Sequence, residues 1–281
     1  MRTRFSTAAA AASASVAALL AAAAGPAAAA GGFAAEYAVY LGGLPALEAT
    51  FTVAGPAGDA YGVEAAARTR GLLASLAPWE NRTRSEGRVA ADGRLVPRAH
   101  EVVSTWRGEP RSVALGYDAA GAVVSSRAVP AAEADAREPV PDHLKPGTAD
   151  VLTGVLGLLD AMDDGAGCDR TVPVYDGRRR YDIAVRSAGV RLLAPNRYSL
   201  FSGEATVCEL RFRTLAGRPV GRERSRFWRS EDGEGNQGWP ATAYVAPAGP
   251  GGRMVPVRLE LETPLGFAVA HLTGVRPAEE R

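Results

Sequence analysis

The run Val257–Glu262 sets Val257, Leu259 and Leu261 against Arg258, Glu260 and Glu262. A chain that alternates apolar and charged residues with period two can bury one side of itself only as a β-strand. Other runs carry the same pattern. Tyr37, Val39 and Leu41 fall on one strand face, and Ala49, Phe51 and Val53 oppose Glu48, Thr50 and Thr52. One buried and one wet face is the signature of an antiparallel sheet. Reversals follow at short intervals: Asp92-Gly93, Asp118 to Gly121, Asp176-Gly177 and Pro264-Leu265-Gly266. Asp-Gly supplies the positive φ that tight hairpins need. Sequential strands should therefore pair, which disfavours parallel βαβ units.

Two segments interrupt the strands with helical spacing. Residues 71–77 predict a short helix ending at Pro78. Residues 148–162 predict a longer one, with Thr148 as cap, Asp150 in the first turn, and a broad apolar face from Val151 to Met162. So wide a face should be buried against the concave side of the sheet. The expected fold is mainly β (α+β): a strongly curved antiparallel sheet or half-barrel with one or two helices on its concave side. The expected domain is 31–275, with halves 33–129 and 148–275 joined by a loop at 130–147 and a charged tail at 276–281. Residues 231–253 read as a loop.

The first 30 residues read as a signal peptide. Arg2 and Arg4 precede an uncharged apolar run over 8–24, and small residues Ala27 to Ala30 offer a cleavage site. No later stretch approaches the roughly 18 apolar residues of a membrane helix. The mature chain is thus expected to be exported, to the periplasm where there are two membranes. In that oxidising compartment Cys168 and Cys208 should form a disulfide.

Removing the two leader arginines leaves 30 basic against 31 acidic residues. That balance argues against a nucleic-acid partner, which would demand a basic excess. The three histidines, His100, His143 and His271, lie in no recognisable catalytic motif, and there is no G-x-S-x-G elbow. No H-x-H, HExxH or C-x-x-C pair suggests a metal. Asp160, Asp163 and Asp164 lack calcium-loop spacing and read as a helix end. No cofactor is expected and no catalytic residue is assigned. Arg222, Arg224, Arg226 and Arg229 around Trp228 form a basic cluster that reads as a solvated face.

The segments TADVLTGVLGLLDAM, TVPVYDGRRRYDIAV and GRMVPVRLELETPLGFAVAHL together resemble the bacterial domain-of-unknown-function family 3108 (DUF3108). The early YAVYLGGLPALEATFTV and TRGLLASLAPWENRTRSEGRV agree with it. The similarity extends over about 33–275. Its motifs are a helix start and two hairpins, with no active-site motif among them. The resemblance implies an exported envelope protein with a strongly curved antiparallel sheet, similar to lipoprotein-carrier folds.

Three functions compete. The first is a non-enzymatic carrier that binds a lipid or other hydrophobic ligand in an apolar concavity lined by groups such as Phe51, Leu72, Leu76, Trp79 and Leu261. The second is a structural module for envelope assembly, with a protein partner and no small ligand. The third is an envelope glycan or lipid hydrolase, which requires two carboxylates or a Ser-His pair converging in a cleft.

Overall fold

The computed structural model describes residues 32–54, 58–131, 137–220, 240–263 and 266–278. The basic cluster around Trp228, the Pro264-Leu265 turn and the leader lie outside them. Thirteen strands form among the described residues. They are β1 (Phe33–Leu41), β2 (Leu44–Val53), β3 (Ala60–Thr69), β4 (Trp79–Val89), β5 (Leu95–Trp106), β6 (Glu109–Tyr117), β7 (Val123–Val129), β8 (Arg170–Tyr175), β9 (Arg180–Leu193), β10 (Gly203–Ala216), β11 (Ala241–Ala246), β12 (Val255–Thr263) and β13 (Gly266–Pro277). Two α-helices join them, α1 (Gly71–Leu76) and α2 (Val151–Asp163).

All strands belong to one antiparallel sheet, in the order β7-β6-β5-β4-β3-β2-β1-β13-β12-β11-β10-β9-β8. Each half of the chain builds a meander, and β1 pairs with β13 to join the two. The hydrogen-bonded ladder does not close. Its edges meet instead through side chains. Tyr175 of β8 packs with Val113, Leu115 and Tyr117 of β6, and its hydroxyl lies 3.0 Å from Ser126 Oγ of β7. The turn after β8 presses on β6 so closely that a Cβ at Gly177 would stand 2.3 Å from Val113 Cγ1. Gly177 also has φ +82°, so two independent constraints exclude a larger residue there. The curved sheet meets itself because twist accumulates over thirteen strands.

Helix α2 plugs one end. Leu152 and Leu156 pack on Tyr61 and Val63, at the start of β3. Leu159 and Met162 pack with Val174, Ile183 and the two cysteines. At its far end Asp160 and Asp163 hold Arg253, just before β12. Cys168 and Cys208 are disulfide-bonded and buried in this core. Helix α1 is different: none of its residues is buried.

Two local expectations are corrected. Asp150, not Thr148, caps α2, its carboxylate accepting from the Thr153 amide at 2.9 Å. Thr148 instead bonds the carbonyl of Lys145. Part of the presumed 231–253 loop is strand β11, whose ATAYVA sequence has four consecutive buried residues. Short apolar residues buried on both faces carry no alternation, so the flanking Pro and Gly dominate a sequence reading.

Candidate functional site

The face of the sheet that looks toward α2 changes character along its strands. On β12 the residues Val255 and Val257 are fully buried, at 0% exposure, while Leu259 and Leu261 on the same face are each 38% exposed. Cross-strand neighbours repeat the change. Leu259 pairs with Ala243 and Ala270, and Leu261 with Ala241 and Ala268. Ala270 and Ala268 in turn pair with Val39 and Leu41 of β1. The two leucines are thus flanked by alanines, whose short side chains leave the surface between them unfilled.

This row lies at the end opposite α2, where β1, β3, β5 and β12 finish. It continues across β2 to β5. Val39 pairs with Leu47, and Leu47 with Thr69. Thr69 Oγ1 accepts from the Trp79 amide at 3.0 Å, and Trp79 pairs directly with Trp106. Trp106 is 45% exposed. The open end is therefore rimmed by leucines and two tryptophans, of which Leu259, Leu261 and Trp106 are each more than a third exposed.

Of the residues expected around an apolar ligand, Trp79 and Leu261 stand on this inner rim. Leu72 and Leu76 lie on α1 at the same end, 73% and 64% exposed. Phe51 lies deeper, half-buried, and packs against three core clusters at once. Sequence reasoning weighed Trp106 as a groove-lining aromatic behind Trp79, and it left out Leu259 and the flanking alanines. Leu259 was legible from alternation beside Leu261, whereas the alanines become informative only once register places them next to the leucines.

A second constellation sits inside the barrel. Ser85, His100 and Asp150 are all buried. Ser85 Oγ donates to Asp150 Oδ1 at 2.6 Å and lies 2.8 Å from His100 Nδ1. Because Ser85 spends its one proton on the carboxylate, His100 Nδ1 donates to Ser85. Thr153 adds its amide and, at 2.7 Å, its hydroxyl to Asp150, and Tyr61 OH lies 2.8 Å from Thr153 Oγ1. Burial pushes the Asp150 carboxyl up, but His100, Ser85 and the Thr153 amide outweigh it and hold the group below its ordinary value.

This grouping lacks the geometry of a nucleophilic triad. There the serine gives its proton to one histidine nitrogen and the carboxylate takes it from the other. Here serine and carboxylate both face Nδ1, the serine proton points at the carboxylate, and none of the three reaches a cleft. The network fastens α2 to β4 and β5.

The outer face carries a third feature, an open depression of about 910 Å³ across β1–β5. Its walls hold Glu36, Glu48, Glu80, Arg68, Arg70 and Arg82. These charges are largely matched, with Arg68 and Arg70 on Glu48 and Arg82 on Glu64. None of the five expected ligand-lining residues borders it. At its margin Tyr198 stacks on His271, with Arg197 over the ring. Burial, reinforced by Arg258, pushes the His271 imidazole below its usual value. Among the described residues there is no group of three or more His, Cys, Asp or Glu able to hold a metal ion. No helix among them is long and apolar enough to cross a membrane.

The family described as a protein of unknown function, DUF3108, matches residues 36–273, from β1 into β13. The chain belongs to the DUF3108 family. No curated protein matches it. Among solved structures, this DUF3108 chain is similar to a β-barrel-like protein of the domain of unknown function DUF1849 from Brucella abortus, at 11% identity and a TM-score of 0.47. That match covers 89% of this chain and 99% of the other.

Proposed function

We propose that this DUF3108 protein is an exported, non-enzymatic carrier that holds a lipid or other hydrophobic envelope ligand on the inner face of its open end. The observation that supports this reading is the contrast within β12: two valines buried, then two leucines on the same face left 38% exposed. Leaving a leucine half in water forgoes about 1 kcal/mol of burial free energy at about 25 cal/mol per Å². An apolar guest laid over Leu259, Leu261 and the flanking alanines would recover it. Concave, mostly apolar surfaces with few polar groups are the usual form of such sites. The disulfide suits an oxidising compartment, in line with a cleaved leader and a periplasmic location.

The test is native mass spectrometry on the protein purified from its own envelope fraction without detergent, with a solvent extract of the same sample. A stoichiometric adduct that extracts as a lipid, and is lost in Leu261→Glu, is the expected result. A clean apo mass in the wild type, unchanged after incubation with envelope lipids, would reject the carrier role.

A further inference from the structure

The turns around the open end carry apolar side chains at their tips. Leu44, just after the β1–β2 turn, is 70% exposed, and Phe267, at the start of β13, is 58% exposed. Leu72 and Leu76 stand four positions apart on α1, so they share one face of that helix, and both are exposed. Trp106 ends β5. These tips adjoin one another. The Gly42 amide donates to the Phe267 carbonyl at 3.1 Å, the Arg70 amide to the Ala46 carbonyl at 2.8 Å, and the Arg107 amide to the Pro78 carbonyl at 2.9 Å. An arc thus runs from the start of β13 past the β1–β2 turn and α1 to the β5–β6 turn.

The charges along this arc are set back from the tips. The stretches 41–47 (LGGLPAL) and 71–79 (GLLASLAPW) contain no charged residue. Glu48 directly follows the first, and Arg70 and Glu80 bracket the second. Glu262 pairs with Phe267 and Glu109 with Trp106, while Arg107 lies over the Trp106 ring. Apolar tips backed by a band of both signs match, in order, the acyl layer and the headgroups of zwitterionic phospholipids. The lipid phosphate suits the arginines and the ammonium suits the carboxylates, and the Arg70–Glu48 pair need not break. A strongly basic rim, which anionic lipid alone would select, is not what these positions carry. Tryptophan between an apolar layer and charge is the usual arrangement at a membrane interface. Exposed apolar groups gathered at one end mark an interaction surface. Spread over separate turns around an opening, they suit a fluid surface that adapts to each tip better than a rigid partner.

We propose that the open end of the barrel docks on the surface of a phospholipid bilayer with zwitterionic headgroups, the tips Leu44, Leu72, Leu76, Trp106 and Phe267 entering its outer acyl layer. The end filled by α2 faces away. This goes beyond the carrier reading and does not rest on it, since docking requires no ligand inside the barrel.

The experiment is flotation of the mature, disulfide-bonded protein with vesicles of phosphatidylethanolamine and phosphatidylcholine. The wild type should float with the vesicles, and raising the salt concentration should not release it, because the attraction is apolar. The double variant Leu72→Ser, Leu76→Ser should partition about tenfold more weakly, the scale of two leucines partly withdrawn from water. Both positions are exposed, so its circular dichroism spectrum should match the wild type. Val124→Ser, at a comparably exposed position on β7, should float like the wild type. No flotation of the wild type, flotation unchanged in the double variant, or flotation only with anionic lipid that salt abolishes would each overturn the inference. A concentration-dependent dimer that the double variant loses, without flotation, would assign the rim to a second copy of this chain instead. Any of these failures leaves the carrier reading to its own test, the extractable lipid adduct.

Discussion

Ser85 Oγ stands 2.6 Å from Asp150 Oδ1, although 65 positions separate the two in the chain. This contact ties strand β4 to the first turn of the helix that plugs the barrel. Asp150 serves at once as helix cap, as acceptor for two hydroxyls, and as neighbour of His100, whose Nδ1 is 3.3 Å away. A carboxylate with so many donors is hard to replace in a dry interior.

Asp150→Ala should therefore destabilise the protein by about 3–5 kcal/mol, the range for breaking a buried, hydrogen-bonded charge set. The serine and the helix amide would be left without their acceptor, and the cap would go with it. Asp150→Asn keeps one oxygen as cap and should cost less. Urea denaturation monitored by far-UV circular dichroism separates the two. A loss below about 1 kcal/mol for the alanine variant would mean that α2 is held by its apolar face alone.

The same carboxyl predicts a pH dependence. Its folded pKa lies below the ordinary value near 4. A depressed carboxyl contributes stability that is fully present above its unfolded pKa and is lost as pH falls through the folded pKa. The stability difference between wild type and Asp150→Asn should thus be flat from neutral pH down to about pH 5, then shrink below about pH 4. Denaturation midpoints of both proteins across that range test it. A difference that grows on acidification would reverse the sign and refute the assignment.

Two leucines on neighbouring strands give a test of the open face. Leu272 on β13 is 1% exposed, whereas Leu261 on β12 is 38% exposed. Leu272→Ala should cost about 3 kcal/mol, as for a filled core site, and Leu261→Ala about 1 kcal/mol or less. Equal costs would show that the open end is packed in solution and has no apolar surface to offer.

The disulfide closes a separation of 40 residues. In the chain-entropy account a loop of that length is worth up to about 4 kcal/mol. The double variant Cys168→Ser, Cys208→Ser should lower Tm by about 5–15 °C, taking about 2–4 °C per kcal/mol for a domain of this size. Scanning calorimetry of the oxidised wild type and the variant measures it. An unchanged Tm would place the stabilisation elsewhere.

Much of the fold is legible in short stretches. Val257–Glu262 declares a strand by alternation alone, and Asp176-Gly177 declares the hairpin between β8 and β9. The face of α2 is equally readable, since Leu152, Leu156, Leu159 and Met162 recur at helical spacing and all four are buried. β11 escaped because it alternates nothing. The candidate site was legible only in pieces: Trp79 and Leu261 were single apolar residues until register set them on one rim.

What the sequence alone determined is local: strand or helix, turn positions, the cysteine pair and the balance of charge. These depend on side chains within a few residues of one another, where backbone geometry fixes which neighbours share a face. Tertiary structure decided which end of the barrel α2 fills and which it leaves open. It also brought Ser85, His100 and Asp150 into one buried network and set alanines beside Leu259 and Leu261. Those relationships come from strand register and from twist summed over thirteen strands, and a register shift of one residue in a strand would send its side chains, Ser85, His100 or Leu261 among them, to the other face.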